Sequence, residues 1–394
     1  MQPVSVLVTI SGRDRPGVTA ALFSSLAAHD VEVTDVEQVV IRGRLIVGVL
    51  LAVHGDPAPL RRSVSTTADA LGMDHEVVLM DEVPAGGPRP AGLLHVIVLG
   101  QALRPGAIAE ITQRIADAGG NITSITQLSN YPVSSLELMV EADETSVRSA
   151  LALAATATGL DIAVERAGLA RRAKRLVVLD VDSTLVQGEG IDELAARAGV
   201  LDEVAAITAA AMGGQLDFRQ SLQARVGLLA GLSVSEVERV RDELVLTPGA
   251  RTLVRTLKRL GYAVGVVSGG FTVLTDRFVT ELSLDFAAAN VLEVVDGRLT
   301  GRVIGEVVDR AGKARALTRF AAEHDVPLSQ TVAIGDGAND IDMLQRAGLG
   351  IAFNAKAALR ETAEVSVNTP FLDAVLYILG IPRSEVEAAD LELT

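Results

Sequence analysis

The 394-residue chain has no cysteine and no tryptophan, and its aromatic residues amount to only 3%. Without cysteine, disulfides, thiolate zinc sites and thiol nucleophiles are excluded, while metal sites made of histidine or carboxylate stay open. With so few aromatics, cores must be built from Val, Leu, Ile and Ala, and a stacking platform for single-stranded nucleic acid is poorly supplied. Positive charge is also scarce: 35 Lys and Arg stand against 50 Asp and Glu, a formal net charge of −15. That balance repels phosphate backbones and anionic lipid unless a local basic patch intervenes, and the sequence shows none. No run of about 18 apolar residues offers a membrane span, and the opening MQPVSVLVTI lacks the basic start of a signal peptide. These absences predict a soluble cytoplasmic protein with neither nucleic acid nor membrane as partner. His29, His54, His75, His95 and His324 fall at no metal-ligand spacing and read as structural or surface residues.

What is present is ordinary globular material, 49% hydrophobic and 22% charged, so wholesale disorder is excluded. At about 100 to 200 residues per domain, the length predicts two to four domains. An internal repeat appears when the chain is shifted by 89 positions: Arg15-Pro16-Gly17 falls on Arg104-Pro105-Gly106, and from there Leu22 falls on Ile111, Leu26 on Ile115, Val49 on Leu138 and Leu51 on Val140. Each copy reads as an apolar strand (Val4 to Ile10; Leu93 to Leu99), a helix (Val18 to Ala28; Ala107 to Ala118), two alternating strands, a second helix (Pro59 to Leu71; Thr145 to Gly159) and a closing strand. The order predicts an α+β ferredoxin-like sandwich, with helices on one face of an antiparallel sheet. With Arg-Pro-Gly after the first strand, each copy resembles the ACT domain, a small amino-acid-binding regulatory module. The copies are assigned to residues 1–82 and 92–168, joined by a Pro- and Gly-rich linker from Pro84 to Pro90.

From Arg175 the rhythm changes to short, fully apolar strands alternating with helices, which predicts an α/β fold with a doubly wound parallel sheet. The strands expected are Leu176 to Asp180, Ala263 to Ser268, Thr331 to Asp336 and Leu349 to Ala352. Ile191 to Leu246 has no strand pattern and reads as an inserted helical cap (about 190–247), and Val291 to Val303 reads as a hairpin turning at Asp296-Gly297. This third part is assigned to residues 175–390.

Four segments of this part carry chemistry. Asp180 and Asp182 stand at i and i+2 where a strand ends, the crevice in which open α/β sheets bind ligands. Ser268-Gly269-Gly270 ends another strand with a hydroxyl and unobstructed amides suited to a phosphoryl oxygen. Lys313 sits at a helix start, a poor place for a cation unless it meets an anion. Gly335-Asp336-Gly337-Ala338-Asn339-Asp340 offers oxygen ligands for a hard cation. Taken singly, each has a bland alternative: a capped turn, ordinary glycine turn chemistry, a solvated lysine.

Taken in order, these segments resemble the four motifs of the haloacid dehalogenase superfamily, specifically its phosphatases. The wider pattern DVDSTLVQGEGIDELA, AAMGGQLDF, SLQARV, VVSGGF and AIGDGANDIDML is similar to the phosphoserine phosphatase family over about residues 175–380. The resemblance implies Asp180 as nucleophile, Asp182 as acid and then base, and Ser268, Gly269, Lys313 and Asn339 around the phosphoryl group. It further implies a magnesium ion on Asp180, the Asp182 carbonyl and Asp336, with Asp340 in support. Glu189 would pair with the substrate ammonium, Arg225 with its carboxylate, and Met212 and Phe218 would close the pocket. By composition alone, these cap residues read equally as solvated charges and core. The implied activity is hydrolysis of O-phospho-L-serine in serine synthesis. The alternatives are another phosphorylated amino acid, a phosphoprotein, or an amino-acid sensor without catalytic use. In the ACT-like copies, Asp14, Gly17, Gly106 and Asn121 are the expected contacts for L-serine or a related effector at a homodimer interface; the alternative is dimerisation alone.

Overall fold

The computed structural model describes residues 3–80, 92–212, 215–355, 359, 363 and 365–391. The linker expected from Pro84 to Pro90 lies outside them, as does the side chain of Met212. The chain forms two compact units, residues 1–89 and 90–394.

The first unit runs β1 (Val4–Arg13), α1 (Val18–Leu26), β2 (Val31–Ile41), β3 (Arg44–Val53), α2 (Ala58–Leu71) and β4 (Asp74–Met80). Its antiparallel sheet has the order β2-β3-β1-β4. Every second residue of β1 (Val6, Val8, Ile10) meets a stripe at helical spacing on the two helices (Val18, Leu22, Leu26; Leu60, Val64) in one core. Gly17, after Pro16, takes φ 94° and caps α1, a left-handed conformation that glycine adopts at no steric cost.

The second unit opens with the other copy: β5 (Leu93–Gly100), α3 (Pro105–Asp117), β6 (Asn121–Ser129), β7 (Ser134–Glu141), α4 (Glu144–Thr158) and β8 (Asp161–Arg166), in the same permutation β6-β7-β5-β8. The offset of 89 joins buried positions through the first helix and third strand, Leu22 with Ile111 and Leu51 with Val140. In the first strand it is one less. Leu51 faces Val6 across the sheet and Val140 faces Leu94, so Leu94 rather than His95 is the counterpart of Val6. One extra residue before Arg104 absorbs the difference, because a one-residue slip within the strand would turn its apolar set away from the helices. The Pro-Gly pair also does a different job here: Pro105 and Gly106 are the first two residues of α3, behind Arg104 as cap.

After α5 (Leu169–Arg172) comes a seven-stranded sheet ordered β12-β11-β10-β9-β13-β14-β15. Its strands are β9 (Leu176–Leu179), β10 (Ala263–Phe271), β11 (Phe286–Val295), β12 (Arg298–Ile304), β13 (Thr331–Gly335), β14 (Leu349–Phe353) and β15 (Val365–Val367). All neighbours are parallel except β11 and β12, a hairpin that turns on Asp296 (φ 48°) and Gly297 (φ 72°). Alternate residues of β9 enter opposite cores, Val177 and Leu179 on one side, Leu176 and Val178 on the other, which is why these strands read as unbroken apolar runs. Between β9 and β10 lie the cap helices α6 (Gly190–Ala198), α7 (Leu201–Met212), α8 (Phe218–Leu228) and α9 (Val234–Glu243), then α10 (Ala250–Arg259). A bridge between Val186 and Leu246 ties the two crossings at the base of the cap. Helices α11 (Thr272–Glu281), α12 (Arg310–Glu323) and α13 (Ile341–Arg346) complete the wrapping. Two features differ from the expectation: β11 begins as a parallel strand beside β10, in the Ala-rich Phe286 to Ala288, and β15 adds a short edge. Alanine has little strand propensity, so tertiary pairing rather than local preference makes that start of β11 a strand.

Candidate active site

The ends of β9 and β13, with the first turn of α12, bring three charged groups together. Asp180 follows β9 and is 2% exposed, Lys313 in α12 is 1% exposed, and Asp340 after β13 is fully buried. The Lys313 ammonium lies 2.7 Å from Asp180 Oδ1 and donates to Asp340 Oδ1 at 2.7 Å. The lysine that looked misplaced at a helix start thus answers two carboxylates rather than the helix dipole. Asp340 Oδ2 accepts the Gly337 N–H at 3.1 Å, which fixes the loop after β13. Burial pulls the Lys313 ammonium down, but Asp180 and Asp340 outweigh it, so its pKa is held above the ordinary lysine value. Burial first, then Asp340, hold the Asp180 carboxyl well above the ordinary carboxylate range, and Lys313 offsets them in part.

Asp180, Asp336 and Asp340 each offer a carboxylate oxygen within 4.8 Å of the others, all three buried. Three such carboxylates, two of them paired with the one Lys313 ammonium, leave an excess of buried negative charge, which a small divalent cation with a preference for oxygen would neutralise. The donor set therefore fits a magnesium-type ion.

The turn after Asp180 points Asp182 elsewhere. Val181 to Leu185 form one wide helical turn in which Ser183 takes φ 58°, and the Ser183 N–H donates to Gly188 O at 2.9 Å. Asp182 Oδ1 accepts the Gly190 N–H at 2.8 Å, and Oδ2 accepts the Ser268 hydroxyl at 3.1 Å. A Cβ on Gly190 would fall 2.6 Å from Leu274 Cδ1, and one on Gly270 would fall 2.8 Å from Asp182 Oδ2, so both positions need glycine for close approach. Ser268, fully buried, also accepts the Gly270 N–H at 2.7 Å.

Of the cap residues, Glu189 precedes α6 and accepts the Ser183 hydroxyl at 3.3 Å. Arg225 on α8 is half-buried; burial lowers its pKa, while Glu189, Asp192 and Asp182 act to raise it, which places the guanidinium among these acids. The Phe218 ring covers Gly269, its Cζ 3.3 Å from where a Cβ would sit. Asn339 is half-buried in the loop after β13, its Oδ1 against Gly337. Asp14, Gly17, Gly106 and Asn121 are exposed on the two repeat copies. Two residues went unread in the sequence. Asn290, a lone amide in the apolar run of β11, is fully buried, donates from Nδ2 to Gly269 O at 2.8 Å and accepts the Val308 N–H at 2.8 Å. Arg277 of α11 donates to the carbonyls of Arg241, Asp242 and Leu244, capping the last cap helix. A polar residue in an otherwise buried strand was the available signal for Asn290; Arg277 had none.

Residues 177–345 match the haloacid dehalogenase-like hydrolase family, and residues 5–78 and 94–165 each match an ACT domain. The chain is 59% identical over 389 residues to the phosphoserine phosphatase of Streptomyces coelicolor, covering 98% of this chain and 94% of that protein. It is 53% identical over 393 residues to phosphoserine phosphatase SerB2 of Mycobacterium tuberculosis, covering 98% of this chain and 96% of that one. Among solved structures, it is similar to a phospho-aspartyl intermediate analogue of phosphoserine phosphatase, at 46% identity and a TM-score of 0.50, over 52% of this chain and 98% of the other. With near full-length identity to such relatives, this chain belongs to the phosphoserine phosphatase family of haloacid dehalogenase-like hydrolases, in the form that carries two ACT domains ahead of the hydrolase domain.

Proposed function

We propose that the chain hydrolyses O-phospho-L-serine to L-serine and inorganic phosphate, through an aspartyl phosphate on Asp180. The observation that carries this reading is the continuity of two subsites. Asp180 and Lys313 pair at the strand ends, and Glu189 and Arg225 stand beside Asp182 on the cap side, so a small zwitterion bearing a phosphate matches the whole. An Asp180 oxygen attacks phosphorus, the bond from phosphorus to the serine oxygen breaks, and the electron pair leaves with that oxygen. Asp182 supplies the proton. Each of its oxygens accepts one hydrogen bond, Oδ1 from the Gly190 N–H and Oδ2 from the Ser268 hydroxyl, which fixes the carboxyl group beside the reacting bond. In the second half, Asp182 takes a proton from water as the water oxygen attacks phosphorus, and the Asp180 carboxylate leaves. The ammonium of Lys313 stabilises the charge on the phosphoryl oxygens, with Ser268, Gly269 and Asn339 lining the approach. Asp180, Asp336 and the Asp182 carbonyl would hold a magnesium ion, which would supply charge neutralisation at the phosphoryl group. Asp340, with both oxygens engaged by Lys313 and the Gly337 N–H, supports the lysine. Glu189 holds the substrate ammonium, Arg225 the carboxylate, and Phe218 with Met212 covers the pocket.

Phosphate release from O-phospho-L-serine, phosphothreonine, an aryl phosphate and a phosphopeptide, each with magnesium and with chelator, tests the reading. Selective, metal-dependent turnover of the first is expected; preference for the phosphopeptide, or undiminished rates in chelator, sinks it. The proposal extends to a cytoplasmic homodimer in serine synthesis whose ACT copies bind L-serine or a related amino acid near Asp14 and Gly17 or near Gly106 and Asn121. Calorimetric titration of the full chain with amino acids, paired with rate measurements, checks that part.

A further inference from the structure

Strand β10 does not run straight into the phosphoryl site. It pairs in register with β11 as far as Val267 opposite Ala288, and the next pair is Phe271 opposite Asn290. Four steps on one strand thus match two on the other, and Ser268-Gly269-Gly270 is lifted out as a bulge. A bulge breaks the ladder and leaves peptide groups without strand partners, a serious cost where the surroundings are buried. Asn290, the β11 residue at the far edge of the bulge, answers this with its side chain. Its Nδ2 donates to the Gly269 carbonyl, and its Oδ1 accepts the N–H of Val308, one residue before the Asp309 that caps α12. The chemistry of the partners fixes the amide orientation, since a carbonyl only accepts and a backbone N–H only donates.

We infer that Asn290 is the positioning residue that holds the two phosphoryl-binding elements in register: the Ser268-Gly269-Gly270 bulge and the helix start that carries Lys313. The Gly269 carbonyl and the Gly270 N–H belong to one peptide plane. Asn290 holds that plane at its oxygen, and the N–H at its other end donates to Ser268 Oγ, which in turn donates to Asp182 Oδ2. One amide therefore orients the serine hydroxyl and, through it, the carboxyl group of Asp182. Its other end, through Val308 and Asp309, sets where α12 begins and so where Lys313 stands four residues on. Asn290 touches neither substrate nor metal in this scheme; it acts through the groups it holds.

The inference rests on the phosphatase reading above. Its test compares Asn290→Val with Asn290→Thr in the full-length enzyme: two side chains of one shape, of which only the second keeps a polar group that can donate toward Gly269 O or accept from Val308 N–H. Turnover of O-phospho-L-serine and of p-nitrophenyl phosphate is measured, with inhibition by inorganic phosphate read against the second substrate. Asn290→Val should lower kcat about 10- to 100-fold with a smaller change in KM, and should weaken phosphate inhibition about tenfold. Asn290→Thr should recover much of both. Values for Asn290→Val within about twofold of wild type, or equal impairment of the two variants, would overturn the inference. So would failure of both to fold, which would make Asn290 a residue of the fold alone. If the wild-type enzyme turns over p-nitrophenyl phosphate but not O-phospho-L-serine, the substrate reading fails, while the phosphate comparison still decides the role of Asn290.

Discussion

At the scale of single residues, the site is a place where stability is given up for chemistry. The Asp180 carboxyl, raised by burial and by Asp340, stays protonated in the folded chain at pH values where the unfolded chain has already ionised. The folded state then binds more protons, so this group's contribution to stability falls as pH rises from about 4 through its folded pKa. With magnesium present, Asp180→Asn should lower turnover at least about 10³-fold, and in chelator it should raise the melting temperature by a few degrees at pH 8 and hardly at all near pH 4. A lower melting temperature at pH 8 would mean that the Lys313 attraction exceeds the burial cost. Selectivity belongs to this scale too. Arg225→Ala or Glu189→Gln leaves the opposite substrate charge unpaired, a loss of about 2 kcal/mol or more. Phosphoserine hydrolysis should therefore fall at least about 30-fold while an aryl phosphate is spared; equal losses would assign both residues to cap closure.

Among the elements, the repeat shows what duplication keeps. Both copies carry a glycine at the end of their first strand, Gly12 as the penultimate residue of β1 and Gly100 as the last of β5, under the residue that precedes the last strand. A Cβ there would fall 2.4 Å from Met73 Sδ in one copy and 2.4 Å from Leu160 Cδ2 in the other. The thioether is the more adaptable neighbour, so Gly100→Ala should cost about 1–3 kcal/mol and Gly12→Ala distinctly less. Thermal unfolding of the two variants checks the order. The Arg-Pro-Gly motif was legible as a repeat marker, but its two conformations were not. Whether glycine caps the helix or enters it depends on the one-residue loop difference that the sheet register imposes.

Across the whole molecule, the two copies have different surroundings. Strand β1 alternates buried and half-buried residues, whereas β5 is buried on both faces, Leu94, Val96 and Val98 under its own helices and Ile97 and Leu99 in the core shared with the catalytic sheet. Polar contacts reinforce the junction. Arg171 lies 2.7 Å from Glu137 and donates to Ile378 O at 3.0 Å, while Asp161 accepts the backbone and side-chain N–H groups of Asn368 at 2.6 Å each. Glu137 also meets His95 at 2.9 Å; burial raises its pKa, but His95 and Arg171 outweigh that and hold it low. Arg171→Ala leaves the carboxylate with less compensation and should cost about 2 kcal/mol or more. The expected signature is a lower melting temperature for the unfolding of residues 90–394 as one cooperative step. A separate early transition of the second ACT copy would argue against a shared core. Ligand binding by that copy is accordingly best measured in the intact chain.

Most strands and helices, the duplication and the order of the motifs were decided by the sequence alone, because each is written in local periodicity or in spacing along the chain; the start of β11 and the edge strand β15 were not. Asp180, Asp182, Ser268, Lys313, Asp336 and Asp340 could be picked out before any fold was known, since strand ends and helix starts carry recognisable residues. What the tertiary structure decided concerns partners distant in sequence. Lys313 reaches Asp340 and Asp180, Asn290 spans a bulge to a helix start, and β5 has a second buried face. Such pairings depend on how a twisted sheet brings strand ends together, and a residue's own neighbours in the chain carry no record of that.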